Sequence, residues 1–197
     1  MFDWNDKTIM KQCLQVLQDD KIVLAQSDTV LGLFGCLSVT AKNRLDYIKK
    51  RNLKPYIILI QSENLLSNFI DQDLDEQMQK IIATYWPGPL TIIFKAKSTL
   101  PDWMIGADKT VALRVPKHEV LEQLLTHFDG LFTTSANISD QPLPASYKDI
   151  HVEILQQVGM VCCNPDYVTD VPASTILDFS SGVIKIIRLG AIKLDSI

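Results

Sequence analysis

Three hydroxyls and one carboxamide fall within five consecutive positions, Thr133-Thr134-Ser135-Ala136-Asn137. Such groups orient a ligand by hydrogen bonds without adding charge. Leu131-Phe132 before them suits a buried strand, and Asp140-Gln141-Pro142 after them suits a turn. The hydroxyls then sit where a strand runs out into a loop, which is where open α/β sheets place ligands. The competing reading is a Ser/Thr-rich turn that bonds its own backbone. A second group is cationic: Lys49, Lys50, Arg51 and Lys54. As helix C-terminal cations these complement the macrodipole. They also stand among polar, uncharged loops with no acidic partner in view. A phosphate would supply that partner, because Arg forks onto phosphate oxygens and Lys acts as a point charge.

Other chemistries find no support. Neither G-x-x-x-x-G-K-[ST] nor G-x-G-x-x-G occurs, so phosphate contacts must come from side chains and strand-end amides. His118, His127 and His151 fall on helical stretches and read as surface residues. No carboxylate pair marks a hydrolase site, and Ser135 lacks the flanks of a nucleophile elbow. Cys13, Cys36, Cys162 and Cys163 form no Cys-x-x-Cys pair, and no His completes a zinc site. No protein metal site is expected, and the cysteines read as reduced core residues of a cytoplasmic protein.

The elements that must position these groups follow from periodicity. Asn5 or Asp6 caps a first helix with Ile9, Cys13, Val16 and Leu17 at helical spacing. Ile22–Ala25, Tyr56–Ile60, Leu90–Phe94, Val111–Val115, Leu131–Thr134 and Val183–Ile187 read as strands of one sheet whose inner ends face a shared cleft. Met160 to Cys163 and Ser174 to Leu177 add short strands. Thr40 caps a helix ending at Lys49-Lys50-Arg51, and further helices hold Met78, Ile81 and Ile82, then Leu121, Leu124 and Leu125. Trp86-Pro87-Gly88-Pro89 stops the chain in a rigid turn. Gly32 allows close approach or a φ > 0 bend. Asn164 to Ala173, with two prolines, reads as a mobile loop. Strands first alternate with helices and then pair directly. This predicts an α/β domain over residues 1–197, a twisted mixed β-sheet with packed helices and an open concave ligand cleft. The composition, 47% hydrophobic and 21% charged, is that of an ordinary soluble chain. A net charge of −4 gives no global pull toward nucleic acid or an anionic membrane. No run is long enough to span a bilayer.

Taken together, the motifs resemble one family, the YrdC-like threonylcarbamoyl-AMP synthases of single-domain TsaC type. Ser27-Asp28-Thr29-Val30-Leu31-Gly32-Leu33 is similar to the family's Pro-Thr-Asp-Thr-Val-Tyr-Gly-Leu, and Lys49-Lys50-Arg51 to its Lys-x-Arg. Trp86-Pro87-Gly88-Pro89-Leu90-Thr91, Val111-Ala112-Leu113-Arg114-Val115-Pro116, Ser135-Ala136-Asn137, Ser174-Thr175-Ile176 and Ile187-Arg188-Leu189-Gly190 follow in family order. Gln26-Ser27 stands in place of Pro-Thr, the segment from Arg51 to Pro55 is one residue shorter, and Asp140 replaces a common Gly.

The resemblance implies a nucleotidyltransferase. It would use L-threonine, bicarbonate or CO2, and ATP to form threonylcarbamoyl-AMP and pyrophosphate. A downstream tRNA-modifying transferase complex would then use the product for threonylcarbamoyladenosine. Lys49, Arg51, Ser135 and Asn137 would hold the phosphates and the reacting centre. Thr110 and Arg188 would serve the ATP side. Thr29, Arg114, Thr133 and Ser174 would hold threonine, with Arg114 clamping its carboxylate. Mg2+ would ride on the phosphates. Any tRNA contact would be weak, transient and local to the cationic group, and no membrane partner is implied. The alternative is a non-catalytic RNA-binding module of the same fold.

Overall fold

The computed structural model describes residues 7–50, 55–106, 108–164 and 166–193. Arg51 and Lys54 of the cationic group, and the Asn5/Asp6 cap, lie outside the described residues. The elements run α1 (Lys7–Gln18), β1 (Val23–Ala25), β2 (Gly32–Cys36), α2 (Val39–Lys49), β3 (Ile57–Leu59), α3 (Glu76–Tyr85), β4 (Leu90–Lys95) and β5 (Thr110–Arg114). Then come α4 (Glu119–Leu125), β6 (Leu131–Ser135), α5 (Val152–Gln157), β7 (Met160–Cys162), β8 (Thr175–Asp178) and β9 (Lys185–Arg188).

The described strands form one mixed sheet in the order β7-β1-β2-β6-β3-β5-β4-β8-β9. All six apolar runs expected to share a sheet do so. The last begins at Lys185 rather than Val183. The pairs β1–β7, β3–β5 and β4–β8 are parallel and the others antiparallel.

Strand alternation divides the apolar residues between two faces. Leu24, Leu33, Ile58, Ile92, Phe94, Leu113, Phe132 and Leu177 pack with Leu45 and Ile48 of α2, Ile81 and Ile82 of α3, and Ile154 of α5. On the other face, Val23, Ala25, Phe34, Leu59 and Leu131 pack with Cys13 and Leu17 of α1 and Leu121 and Leu124 of α4. These two helices serve the β7-β1-β2-β6-β3 half of the sheet. The face that runs on toward β8 and β9 forms a cleft.

Two local expectations change. The cap of α2 is Ser38, not Thr40. Ser38 has extended backbone, and its Oγ accepts from Ala41 N at 3.0 Å while donating to Asp20 Oδ1 at 2.6 Å. Nor is the segment after Asn164 simply a mobile loop. Its Thr169 is buried, its N donates to Ala145 O, and its Oγ1 donates to Thr29 O at 3.2 Å. The four cysteines are free thiols, with Cys13, Cys162 and Cys163 buried. Burial pushes Cys163 up to about 11, and burial with Asp20 does the same to Cys36. Neither is an activated nucleophile.

The chain beyond β9 returns onto the start of β8. Thr175 Oγ1 donates to Ile192 O and accepts from Gly190 N at 3.0 Å. A Cβ on Gly190 would lie 2.0 Å from Ala173 O and 2.6 Å from the Ser174 carbonyl carbon, both backbone atoms. Gly190→Ala is therefore expected to lower stability by about 1–3 kcal/mol, read as a lower denaturation midpoint.

Candidate active site

A cavity of about 420 Å³ opens on the cleft face. Alternate strand residues make its floor: Ile57 and Leu59 from β3, Ile93 from β4, Ala112 from β5 and Ile176 from β8. Its polar groups are Ser27, Asp28, Thr29, Thr91, Thr133, Thr134, Ser135, Ser174, Arg114 and Arg188. An apolar floor with a few convergent polar groups is the anatomy of a small-molecule site. Gly32 lies in this wall, and a Cβ there would meet the Phe34 ring at 2.8 Å. It is glycine for space, since its φ is not positive.

Arg114 ends β5 and is buried, 5% exposed. Its Nε donates to Gly88 O at 3.0 Å, Nη1 to Thr29 Oγ1 at 3.1 Å, and Nη2 to Asp28 Oδ1. Asp28 Oδ2 accepts from Lys117 N at 3.0 Å. A guanidinium has one N–H on Nε and two on each terminal nitrogen. No described residue takes the second N–H of either terminal nitrogen. Burial pulls Arg114 below the usual guanidinium value, and Asp28 opposes that shift.

Arg188 reaches from β9 to Ser174, with Nη2 at 2.8 Å from Ser174 O and 3.2 Å from its Oγ. Thr91 Oγ1 fixes the same hydroxyl at 2.9 Å. Burial first, and then the charge of Arg114, pull Arg188 down. No carboxylate among the described residues pairs with Arg188. The cavity thus holds one compensated cation and one uncompensated cation, which favours an anionic ligand.

The hydroxyl-rich loop is tied to α2. Lys49 Nζ donates to Ser135 O at 2.7 Å, to Asn137 O, and to Asn137 Oδ1 at 2.7 Å. Ser135 Oγ donates to Asn137 Oδ1 at 2.6 Å, and Asn137 Nδ2 to Gln141 O at 2.6 Å. Ser139 N closes the tie on Lys49 O at 3.0 Å. Ser135 lines the cavity, whereas Lys49 and Asn137 do not. An ammonium has three donors, and these contacts engage them, so Lys49 positions the loop.

The structure therefore brings together Thr29, Arg114, Thr133, Ser135, Ser174 and Arg188 around one cavity. Thr110 does not line it. Thr110 opens β5, on the same face as Ala112 and Arg114 but at the opposite end of the strand. The expectation that the cationic group lacks acidic partners fails at Lys50, which pairs with Glu153 at 2.5 Å. His118 is half-buried rather than freely solvent-facing. Burial lowers it, while Asp28, Glu122 and Glu119 pull the other way. Sequence reasoning missed Asp28, Thr91 and the Gly88 carbonyl. All three lie inside motifs already singled out, but none is legible without its partner.

A model of the Sua5_yciO_yrdC family, described as telomere recombination, matches residues 15–190. The chain is 34% identical over 144 residues to a threonylcarbamoyl-AMP synthase of Buchnera aphidicola, covering 71% of this chain and 75% of the relative. It is 32% identical over 158 residues to the Vibrio cholerae protein of the same name, covering 77% and 83%. Among solved structures it is similar to P. abyssi Sua5 complexed with L-threonine, with a TM-score of 0.85 and 25% identity over 96% of this chain. It spans only 56% of that Sua5 chain. E. coli YciO shares the fold, with a TM-score of 0.82 and 16% identity over 96% of this chain and 93% of YciO.

The Lys49 tie is testable without a ligand. Lys49→Met keeps most of the unbranched side chain, one atom shorter, but strands the acceptors of Ser135 and Asn137. It is expected to lower stability by about 2–4 kcal/mol in a denaturant titration, because charged hydrogen bonds are lost and their acceptors stay half-buried.

Proposed function

The chain belongs to the Sua5/YciO/YrdC family, and from that membership we propose that it is an L-threonylcarbamoyladenylate synthase. As a nucleotidyltransferase it joins L-threonine, bicarbonate or CO2, and ATP, and releases pyrophosphate. The observation that carries this reading is Arg114, a buried guanidinium with one uncommitted N–H on each terminal nitrogen, set in a cavity ringed by hydroxyls. That is a fork for a carboxylate.

The reaction needs little from the protein in covalent terms. An oxygen of threonine N-carbamate forms a bond to the α-phosphorus as the bond to pyrophosphate breaks. Charge builds on the phosphoryl oxygens and the leaving group. Positioning and positive charge supply the catalysis. The cavity lining accordingly holds hydroxyls and guanidiniums, with no His, Cys or Lys.

In this reading Arg114 takes the threonine carboxylate, while Thr29, Thr133 and Ser174 take its remaining polar groups. Ser135 faces the phosphates, held by Lys49 and Asn137, and Arg51 joins them. Arg188 and Thr110 serve the nucleotide. Mg2+ fits as part of the substrate, carried by phosphate oxygens and water. Among the described residues no group of His, Cys, Asp or Glu could hold a metal ion, and the cavity's Asp28 is engaged by Arg114. The product is consumed by a tRNA-modifying transferase, in the cytoplasm, with residues 1–197 acting as one domain. No described helix is long and apolar enough to cross a membrane. The RNA-binding alternative loses part of its motive, because Lys50 is paired and Lys49 is turned inward.

The deciding assay is pyrophosphate release. It should require ATP, threonine and bicarbonate together; release that persists without threonine or bicarbonate overturns the reading. Valine should be turned over poorly, since buried hydroxyl partners would go unpaired, while serine should lose only about 1–3 kcal/mol of transition-state binding. Equal turnover of valine and threonine would remove Thr29, Thr133 and Ser174 from the substrate.

Lys49 and Asn137 should act as one unit. Asn137→Ala with Lys49→Met should be less impaired than the product of the single losses, with a coupling of about 0.5–3 kcal/mol in kcat/KM. Multiplicative losses would place the two in independent environments.

A further inference from the structure

We propose that Asp28 accepts the α-amino N–H of the amino-acid substrate, so that the Arg114–Asp28 pair reads both charged groups of one α-carbon. This rests on the threonine reading above. Asp28 is the single carboxylate among the described cavity-lining residues. Its side chain is only 10% exposed, so its charge is not dispersed into bulk water. Each of its oxygens accepts one hydrogen bond, from Arg114 Nη2 and from Lys117 N. A carboxylate has about four acceptor sites, so each oxygen keeps one to offer.

The charge pattern points the same way. A zwitterionic amino acid carries an anion and a cation on adjacent atoms, and the pair presents a cation and an anion side by side. Once the α-carboxylate sits on Arg114, the α-ammonium lies in a cavity that also faces Arg188. Two guanidiniums would repel it. Within the lining, Asp28 is the anion that can compensate it. Hydroxyls cannot, and Thr29 Oγ1 already accepts from Arg114. The contact also outlasts binding, because the nitrogen keeps an N–H after it becomes a carbamate. Asp28 is then a substrate-binding residue that selects α-amino acids over α-unsubstituted acids.

The experiment compares L-threonine with (R)-3-hydroxybutanoate, which is threonine without its amino group, by calorimetric titration. Wild-type protein should bind threonine about ten- to a hundredfold more tightly, the worth of a charged hydrogen bond. Asp28→Asn should close most of that gap by weakening threonine while leaving 3-hydroxybutanoate nearly unchanged. Equal affinity of the wild-type protein for the two ligands would overturn the proposal, even if the variant failed to fold. A variant that weakens both ligands alike would also overturn it, since Asp28 would then act only by holding Arg114. The two readings fail separately. Equal binding alongside threonine-dependent pyrophosphate release sinks only the role of Asp28, whereas absent release and absent threonine binding sink both.

Discussion

A guanidinium almost without solvent sets the terms for this molecule. Arg114 is 5% exposed, and a charge so placed destabilises a fold unless it is compensated and its donors are satisfied. The compensation comes from three residues in two separate stretches. Asp28 and Thr29 lie in the turn between β1 and β2, and Gly88 lies in the turn before β4. Each is held in its own right. Gly88 N donates to Val115 O, Trp86 Nε1 to Leu90 O, and Thr169 Oγ1 to Thr29 O. Removing one partner of such a buried pair typically costs about 3–5 kcal/mol, more than most single contacts in a domain this size. The pairing is thus a structural commitment of the fold.

The Lys49 ammonium plays a similar part on the far wall, where it donates to carbonyl oxygens of Ser135 and Asn137. Arg188, which pairs with no carboxylate among the described residues, biases the cleft toward anions, although the chain as a whole carries −4. Local field and net charge are different quantities, and the ligand meets the local one.

The departures from the family pattern are absorbed locally. Ser27, in place of Thr, keeps the hydroxyl chemistry: its Oγ accepts from Thr29 N at 3.2 Å and donates to Val30 O at 2.9 Å. Gln26 fits less well. Its Oε1 is buried with no hydrogen-bond partner among the described residues, a state that costs about 1–3 kcal/mol. Asp140, in place of Gly, sits at φ 65°, a left-handed conformation that Asp tolerates better than most residues.

Much of this was legible in the chain itself. The strands at 57–59, 90–95, 110–114 and 131–135 follow from apolar runs bounded by Pro and Gly. The hydroxyl-rich stretch was placed at a strand end because its flanks are local signals. Cap choice was less legible, since Ser38 and Thr40 are both competent and only the partner Asp20, 18 positions away, favours Ser38. The contacts that make the site were not legible from spacing. Lys49 and Ser135 are 86 positions apart, as are Asp28 and Arg114. Periodicity reports which face a side chain takes along its own strand, and that depends on neighbours a few residues away. Which strand lies alongside is decided by the packing of the whole sheet, where β6 lies between β2 and β3. The sequence by itself determined which residues could bind an anion and which strands could carry them. Only the tertiary structure decided that Arg114 opens toward the cavity while Lys49 turns inward, because that depends on where each charge finds its partner once water is excluded.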